Sequence, residues 1–381
     1  MPDRILLVPD KFKGSLSADG VIEALEKGIK QRFPKATIHA IVASDGGDGF
    51  LNAIARQIPC AEISVATVGP LGRSIHAVYL WDDQRKTAYL ELANASGLEL
   101  LQSEERKVLL TSTEGTGVLI RDAAAKGAKS IYIGLGGSAT NDAGIGMAHA
   151  CGYRFLDRNG HALAPIGSNL SKIMTIDKKE TQQNMNNIAI YAVNDVDNPL
   201  FGKNGAAYIY GRQKGANEDD IETLDKGLRN IDQVATRQLG KAMASEAGSG
   251  AAGGAAYGLK VFLNADFISG TEFMLDLVDA DKLLGEAQFD YIITGEGKFD
   301  AQTLNGKLIK GVVELGKKHH VPVMAVCGKL MVPKKTWKAM GLHEVLEIQT
   351  GSMPDGYSMQ HAATLIKEAI FSYFKDGTTP T

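Results

Sequence analysis

Residues 5–42 read ILLVPDKFKGSLSADGVIEALEKGIKQRFPKATIHAIV, and this stretch decides the predicted fold class. Its first four residues form an apolar run closed by Pro9-Asp10, which is typical of a buried strand. The helix predicted next has Ser17 as its N-cap and one apolar face, formed by Val21, Ile22, Leu25 and Ile29. Residues 37–42 are predicted as the following strand, so the whole stretch predicts a strand–helix–strand unit.

The same alternation of strands and helices is predicted near the C-terminal end of the chain. Strands are predicted at 291–294, 321–326 and 345–349. Helices are predicted over 304–319, between the first two of these strands, between the second and the third, and over 359–374 after the last. Strands that alternate with helices are typical of a parallel sheet covered by helices.

The middle of the chain has a different pattern. Short apolar runs at 65–68, 75–81 and 88–92 are joined by tight turns, which indicates antiparallel strands. Further along, the sequence predicts a long helix over 218–244 and a Gly/Ala loop over 248–258.

These patterns predict an α/β protein of two domains. Both chain ends, residues 1–62 and 287–381, are expected to form one doubly wound, Rossmann-like domain with a parallel sheet. Residues 63–286 are expected to form an inserted second α/β domain with a mixed sheet. Because domain junctions commonly form ligand clefts, the active site is expected in the cleft between the two.

Composition excludes several classes of function. The chain has 41 basic and 44 acidic residues, well mixed, so no basic field for nucleic acid is visible. Its three cysteines are isolated, which argues against a disulfide framework and a structural zinc site. The sequence shows no signal peptide and no apolar run of the roughly 18 residues that a membrane span needs. We therefore expect a cytoplasmic protein without nucleic-acid or membrane partners, whose oligomeric state the sequence does not predict.

Two polar loops follow the predicted early strands. In the first, residues 9–17, Lys13 could neutralise a phosphate or a carboxylate, and Asp10 could hold a metal or orient a hydroxyl. The second, residues 44–49, places Asp45 and Asp48 among three glycines, as a metal or general-base loop would, although its spacing does not match a calcium-binding EF-hand. A plain βα loop and a solvated turn remain the alternatives.

The segment 131–142 runs from a predicted strand through a glycine-rich loop, Gly136-Gly137-Ser138, into a helix. Such a loop aims backbone N–H groups and a helix N-terminus at an anion, which favours a phosphate cradle. It also matches the dinucleotide fingerprint G-x-G-x-x-A, with Asp157 downstream. Asp157 falls in an Asn-Gly hairpin, however, whereas the dinucleotide fold needs an acidic residue at the end of a parallel strand.

Two acidic loops come after later strands. Residues 194–199 contain Asp195 and Asp197, and residues 294–300 contain Glu296. Carboxylates at strand ends beside Gly or Pro could coordinate magnesium or remove a proton from a hydroxyl. Either loop taken alone could also be a capping turn.

Seven segments are distributed in order along nearly the whole chain: PDKFKGS (9–15), DGGDG (45–49), ASGL (95–98), STEGTG (112–117), GGSATND (136–142), DVDNPL (195–200) and TGEG (294–297). Together they resemble the bacterial glycerate kinase family, which resembles neither protein kinases nor P-loop enzymes. That resemblance implies ATP-dependent, magnesium-dependent phosphorylation of D-glycerate, with the 2-hydroxyl favoured. It also implies a discontinuous flavodoxin-like domain with an inserted second domain.

Residue type and loop position then give hypothetical roles. Asp195 is assigned as general base, with Asp45 as the alternative, and Lys13 as the group that neutralises charge on phosphate or substrate. The remaining assignments are nucleotide phosphates for Gly136, Gly137, Ser138, Thr140 and Asn141, substrate for Asp10, Lys11, Ser15 and Asp48, and magnesium for Asp197 and Glu296. Three alternatives stay open: an NAD-linked dehydrogenase of a small hydroxy acid, another hydroxy-acid kinase, and a ligand-sensing module.

Overall fold

The computed structural model describes residues 2–44, 46–47, 49–178, 185, 187–300, 303, 307–349, 351, 353–354 and 356–375. Its strands are β1 (Arg4–Pro9), β2 (Thr37–Ala40), β3 (Ala61–Val68), β4 (Ser74–Asp82), β5 (Thr87–Glu91), β6 (Ser130–Gly134), β7 (Arg154–Leu156), β8 (Thr175–Asp177), β9 (Ala189–Val193), β10 (Asp266–Ile268), β11 (Tyr291–Phe299), β12 (Val323–Leu330) and β13 (Glu344–Glu347). Its α-helices are α1 (Ala18–Arg32), α2 (Phe50–Gln57), α3 (Ala93–Ser96), α4 (Glu114–Ala125), α5 (Ile145–Ala150), α6 (Ala206–Tyr210), α7 (Glu218–Leu239), α8 (Ala251–Leu263), α9 (Gly270–Leu277), α10 (Ala280–Glu286), α11 (Lys307–Lys318), α12 (Lys334–Met340), α13 (Tyr357–Gln360) and α14 (Ala362–Lys375).

The chain divides into two compact units. Residues 1–44 and 270–381 form one, here called the terminal unit, and residues 45–269 form the other, the inserted unit. These bounds differ from the predicted junctions at 62/63 and 286/287. Helix α2 belongs to the inserted unit because it packs on β4 and β5, with Phe50 and Ile54 fully buried. Helices α9 and α10 belong to the terminal unit because α9 packs on both α10 and α11.

The terminal unit contains a five-stranded parallel sheet in the order β13-β12-β11-β1-β2. Its core joins β1 to α1 and α14, and the predicted apolar face of α1 is buried in it. Ser17 caps α1, as predicted, by accepting a hydrogen bond from the Gly20 N–H. The apolar run of β1 is buried along its length, as expected for a strand in the middle of a parallel sheet.

The inserted unit contains a six-stranded sheet in the order β10-β9-β6-β5-β4-β3. Strands β3, β4 and β5 pair antiparallel, whereas β5, β6, β9 and β10 pair parallel, so the sheet is mixed, as predicted. Strands β7 and β8 form a separate two-stranded sheet. In the described part of the chain, no helix has the length and apolar character that crossing a membrane requires.

Two local predictions in the inserted unit differ from the structure. Helix α7 ends at Leu239 and not at 244, because Gly240 adopts a left-handed φ of 70° that stops the helix. The segment predicted as a Gly/Ala loop is only partly a loop. Ala252, Gly253 and Gly254 form a left-handed turn near the start of α8, and the segment is helical from Ala255 onwards. A Cβ on Gly253 would lie 1.9 Å from the Thr140 carbonyl oxygen, so glycine lets this turn touch the 136–141 loop.

Candidate active site

In the terminal unit, two predicted site residues lie side by side on neighbouring strands. Asp10 directly follows β1, whereas Glu296 lies within β11, which continues to Phe299, so the loop predicted over 294–300 is largely strand. The parallel register pairs Pro9 of β1 with Gly295 of β11, which places Asp10 beside Glu296. The Asp10 N–H donates to the Gly295 carbonyl at 2.8 Å. The carboxyl ends of parallel strands are where ligands bind in such sheets.

Glu296 is a half-buried carboxylate whose Oε1 is buried without a hydrogen-bond partner among the described residues. Burial, and then the negative charges of Asp10 and Asp300, raise its pKa to about 7, against a hydrogen bond from Thr303 that lowers it. A carboxyl group that titrates near neutrality can exchange protons at working pH, and its unpartnered oxygen can accept a cation.

The 9–17 loop is held to the terminal unit by Phe12, which is buried. Lys13 is exposed, and its backbone runs beside β11, since a Cβ on Gly297 would lie 3.3 Å from the Lys13 nitrogen. The Lys11 N–H donates to Asp10 Oδ1 at 2.7 Å. Ser15 Oγ donates to the Met359 carbonyl, so its proton is already engaged within the protein. The structure thus brings Asp10, Lys13 and Glu296 into one region of this unit.

The inserted unit contains a cavity of about 620 Å³. Four of the residues predicted from sequence line it: Gly136, Gly137, Ser138 and Asp195. Its other lining residues are Gly47, Leu98, Glu99, Arg106, Leu135, Asn194, Val196, Tyr210, Gln213, Lys214, Ala251 and Ala252. Volumes of roughly 300–1,000 Å³ are typical of sites for small molecules and nucleotide-sized ligands.

The glycine-rich loop has its shape because neighbouring backbone approaches it closely. A Cβ on Gly136 would lie 2.1 Å from the Gly47 Cα, so only glycine fits. The Gly136 N–H donates to the Gly46 carbonyl at 2.9 Å, and the Gly137 carbonyl accepts from the Leu98 N–H at 2.8 Å. Gly137 itself adopts a left-handed φ of 67°. The loop is therefore held in place without any ligand.

The structure argues against the predicted contribution of the following helix to phosphate binding. Helix α5 starts at Ile145, and its first N–H groups are occupied within the protein. The Gly144 and Gly146 N–H groups donate to the Asp142 carboxylate at 3.0 and 3.2 Å. The Met147 N–H donates to Thr113 Oγ1 at 3.0 Å. Asp142 itself is fully buried, and burial raises its pKa against these hydrogen bonds.

Thr140 and Asn141, the other two predicted phosphate ligands, are fully buried and do not line the cavity. The Thr140 hydroxyl and both polar side-chain atoms of Asn141 have no hydrogen-bond partner in the described part of the chain. Only the Gly136–Ser138 part of the predicted phosphate loop therefore faces the space where a ligand fits.

Lys214 is a cavity residue that the sequence analysis missed. Its Nζ donates to Ser138 Oγ and to the Thr140 carbonyl, both at 2.7 Å, and the residue is 2% exposed. Burial lowers its pKa to about 7, which the negative charge of Asp142 only partly opposes. Nothing in the segment Arg212-Gln213-Lys214-Gly215 distinguishes it from a solvated turn, so no sequence signal pointed to this residue.

The remaining predicted residues have different positions. Asp195 follows β9, is half-buried and lines the cavity, whereas Asp197 is exposed and does not line it. Asp45 and Asp48 lie outside the described residues. Within the described ranges, no group of three or more His, Cys, Asp or Glu side chains is arranged to hold a metal ion.

The structure also argues against dinucleotide binding by the 134–139 loop. Asp157 does not end a parallel strand, because β7 pairs with β8 in the separate small sheet. Its Oδ1 accepts from the Asn159 and His161 N–H groups at 2.8 and 2.9 Å, so the carboxylate shapes its own turn. The helix end that would receive a pyrophosphate is occupied by Asp142, as described above.

Comparison with known proteins decides the family. The model of the glycerate kinase family matches residues 5–375, nearly the entire chain. This chain belongs to the glycerate kinase family. Glycerate kinase of Halalkalibacterium halodurans is 38% identical to it over 365 residues, which cover 96% of each chain. Glycerate 2-kinase of Escherichia coli is 39% identical over 327 residues, which cover 86% of this chain and 85% of the relative.

A crystal structure assigned to glycerate kinase 2 of Salmonella typhimurium LT2 shares the fold. It superposes with a TM-score of 0.83 at 33% sequence identity and covers 100% of both chains. This glycerate kinase family member is therefore a kinase with the two-unit α/β architecture described above.

Proposed function

We propose that this protein transfers a phosphoryl group from ATP to the 2-hydroxyl of D-glycerate, giving 2-phosphoglycerate and ADP. The observation that carries the proposal is the likeness to glycerate 2-kinase of Escherichia coli, which extends over 86% of this chain. The cavity of the inserted unit supports it, because a fixed glycine-rich loop and a buried lysine line a space of about 620 Å³.

Phosphoryl transfer requires positioning and neutralisation of charge more than covalent chemistry by the protein. We assign Gly136, Gly137 and Ser138 to the nucleotide phosphates, since these loop residues face the cavity. Asp195 lines the same cavity and is our candidate to accept the proton of the glycerate hydroxyl. Asp45 remains the alternative base, and Asp48 remains a substrate contact predicted from sequence alone.

In the terminal unit, we assign Lys13 to neutralise phosphate or carboxylate charge because its side chain is exposed at the sheet edge. Asp10 and Lys11 remain candidate substrate contacts. Ser15 is the weakest of these assignments, because its hydroxyl proton is donated to Met359. That residues of both units serve one reaction stays a prediction from the sequence.

Of the two residues predicted to bind magnesium, Glu296 has surroundings that suit a magnesium ligand. Glu296 offers a hard carboxylate oxygen, buried and without a hydrogen-bond partner in the described residues, as a cation ligand would be. Mg²⁺ commonly takes only one or two carboxylates beside substrate phosphates and water, so a larger cluster is not required. When bound, the ion would neutralise charge on the transferred phosphate. Asp197 stays a prediction, with only its exposure known.

A coupled assay of ADP release over a panel of small hydroxy acids tests this proposal. We expect release that depends on D-glycerate and on magnesium, with other acids much slower. Release that is independent of glycerate, or faster with another hydroxy acid, would assign a different acceptor. Reduction of NAD by a hydroxy acid in the absence of ATP would favour the dehydrogenase instead.

A further inference from the structure

A second cation, Arg106, lines the cavity of the inserted unit together with Lys214. Its Nε is buried and has no hydrogen-bond partner among the residues that the structure describes. No described carboxylate forms an ion pair with its guanidinium. A buried donor without a partner is costly, because it has lost its water and gained nothing in exchange. An arginine in this state at a cavity wall indicates an anionic ligand.

Direct packing fixes Arg106 relative to Lys214. Lys214 ends the short helical turn Arg212–Lys214, and Gly215 follows with a left-handed φ of 91°. A Cβ on Gly215 would lie 1.9 Å from the Arg106 carbonyl oxygen. The turn that carries Lys214 therefore rests on the backbone of Arg106, and both cations reach the same cavity from segments far apart in sequence.

Lys214 has binding capacity that the protein itself does not use. A lysine ammonium has three N–H donors, and two of them are engaged by Ser138 Oγ and the Thr140 carbonyl. Both acceptors are neutral, so the buried positive charge has no hydrogen-bonded anion. Burying a charge without such a partner is unfavourable, and an anion bound in the cavity would offset that cost.

We propose that Lys214 and Arg106 together bind the phosphate groups of the nucleoside triphosphate at the Gly136–Ser138 loop. This inference rests on the proposed function, since it takes the phosphoryl donor as the ligand. A polyphosphate presents many oxygens to one arginine fork and one ammonium, whereas a single carboxylate would leave most of these donors unused. Glu99 and Asp195 line the same cavity, so the two cations would also offset the repulsion between these carboxylates and a bound polyanion.

Calorimetric titration with inorganic tripolyphosphate and with ATP tests the proposal on the whole protein. Lys214→Met and Arg106→Met should each weaken binding of both ligands on the order of 10- to 100-fold, the usual value of a hydrogen bond to a charged group. Arg212→Met, in the same turn as Lys214, and Lys107→Met, next to Arg106, are matched controls because neither side chain lines the cavity. They should change affinity by no more than about twofold.

Lys214→Met leaves two buried oxygens without a donor, so its thermal unfolding has to be compared with that of the wild type. If this variant does not fold, Arg106→Met decides alone, because Arg106 is only half-buried. Unchanged affinity for tripolyphosphate and ATP in Arg106→Met would overturn the proposal. So would an effect confined to the KM for glycerate, which would identify the bound anion as the substrate carboxylate.

Titration with tripolyphosphate needs no acceptor, which separates this test from that of the proposed function. A wild type that binds tripolyphosphate through Lys214 and Arg106 but does not phosphorylate glycerate would refute the proposed acceptor and leave this site intact.

Discussion

At the scale of single residues, Glu296 makes stability depend on pH. Its pKa is raised from 4.5 to about 7, first by burial and then by Asp10 and Asp300. Between these two values the folded protein holds a proton that the unfolded chain releases, so the free energy of unfolding falls as pH rises through this window. Glu296→Gln removes the titrating group and should flatten that fall. Denaturant unfolding at about pH 5 and about pH 8 measures how much the free energy of unfolding falls. If it falls by the same amount in the variant and the wild type, the raised pKa of Glu296 is contradicted.

Some residues of the candidate site could be predicted from the sequence and others could not. Asp195 and Ser138 follow strands and stand in loops that contain glycine or proline, which is a pattern that sequence displays. Lys214 and Arg106 have no such pattern, because their burial depends on packing between segments about a hundred residues apart. The same limit applies at α5: a sequence shows a loop before a helix, but not that Asp142 accepts hydrogen bonds from N–H groups at the start of that helix.

At the scale of elements, the left-handed turn inside α8 holds the cavity loop in place. Gly253 has a φ of 69°, and a Cβ added to it would lie 1.9 Å from the Thr140 carbonyl oxygen. Gly253→Ala should therefore lower the free energy of unfolding by about 2 kcal/mol or more, from backbone strain and steric overlap together. Gly285→Ala in α10 is the control: nothing lies within 4 Å of its Cβ position, and it should stabilise by about 0.5–1 kcal/mol. Thermal unfolding distinguishes them, and equal midpoints would contradict the strain assigned to this turn.

Elements were predictable where periodicity alone decides them. The buried run of β1, the apolar face of α1 and the mixed pairing in the middle of the chain all follow from local patterns. The ends of elements could not be predicted from periodicity. Helix α7, for example, ends because Gly240 adopts a left-handed backbone conformation. The unit bounds at 44/45 and 269/270 also depend on which sheet or helix α2 and α9 pack against, which no local pattern records.

At the scale of the whole molecule, we predict that residues of both units serve one reaction. Lys13→Ala in the terminal unit should lower kcat/KM strongly, and Asp195→Asn in the inserted unit should lower kcat on the order of 10²- to 10⁴-fold, as loss of a general base does. Lys35→Ala and Asp219→Asn, both exposed, are the matched controls and should leave steady-state rates near the wild-type values. Near-normal turnover in Asp195→Asn would refute its role as base, and a silent Lys13→Ala would remove that residue from the reaction.

We propose that this member of the glycerate kinase family phosphorylates the 2-hydroxyl of D-glycerate with ATP. Phosphorus NMR of the product formed from D-glycerate, ATP and magnesium tests it most directly, because the two possible phosphate esters couple to different numbers of protons. We predict a doublet from 2-phosphoglycerate, whose ester carbon carries one hydrogen, together with an equal amount of ADP. A triplet from the 3-phosphate ester, or no new phosphate ester at all, would contradict the claim.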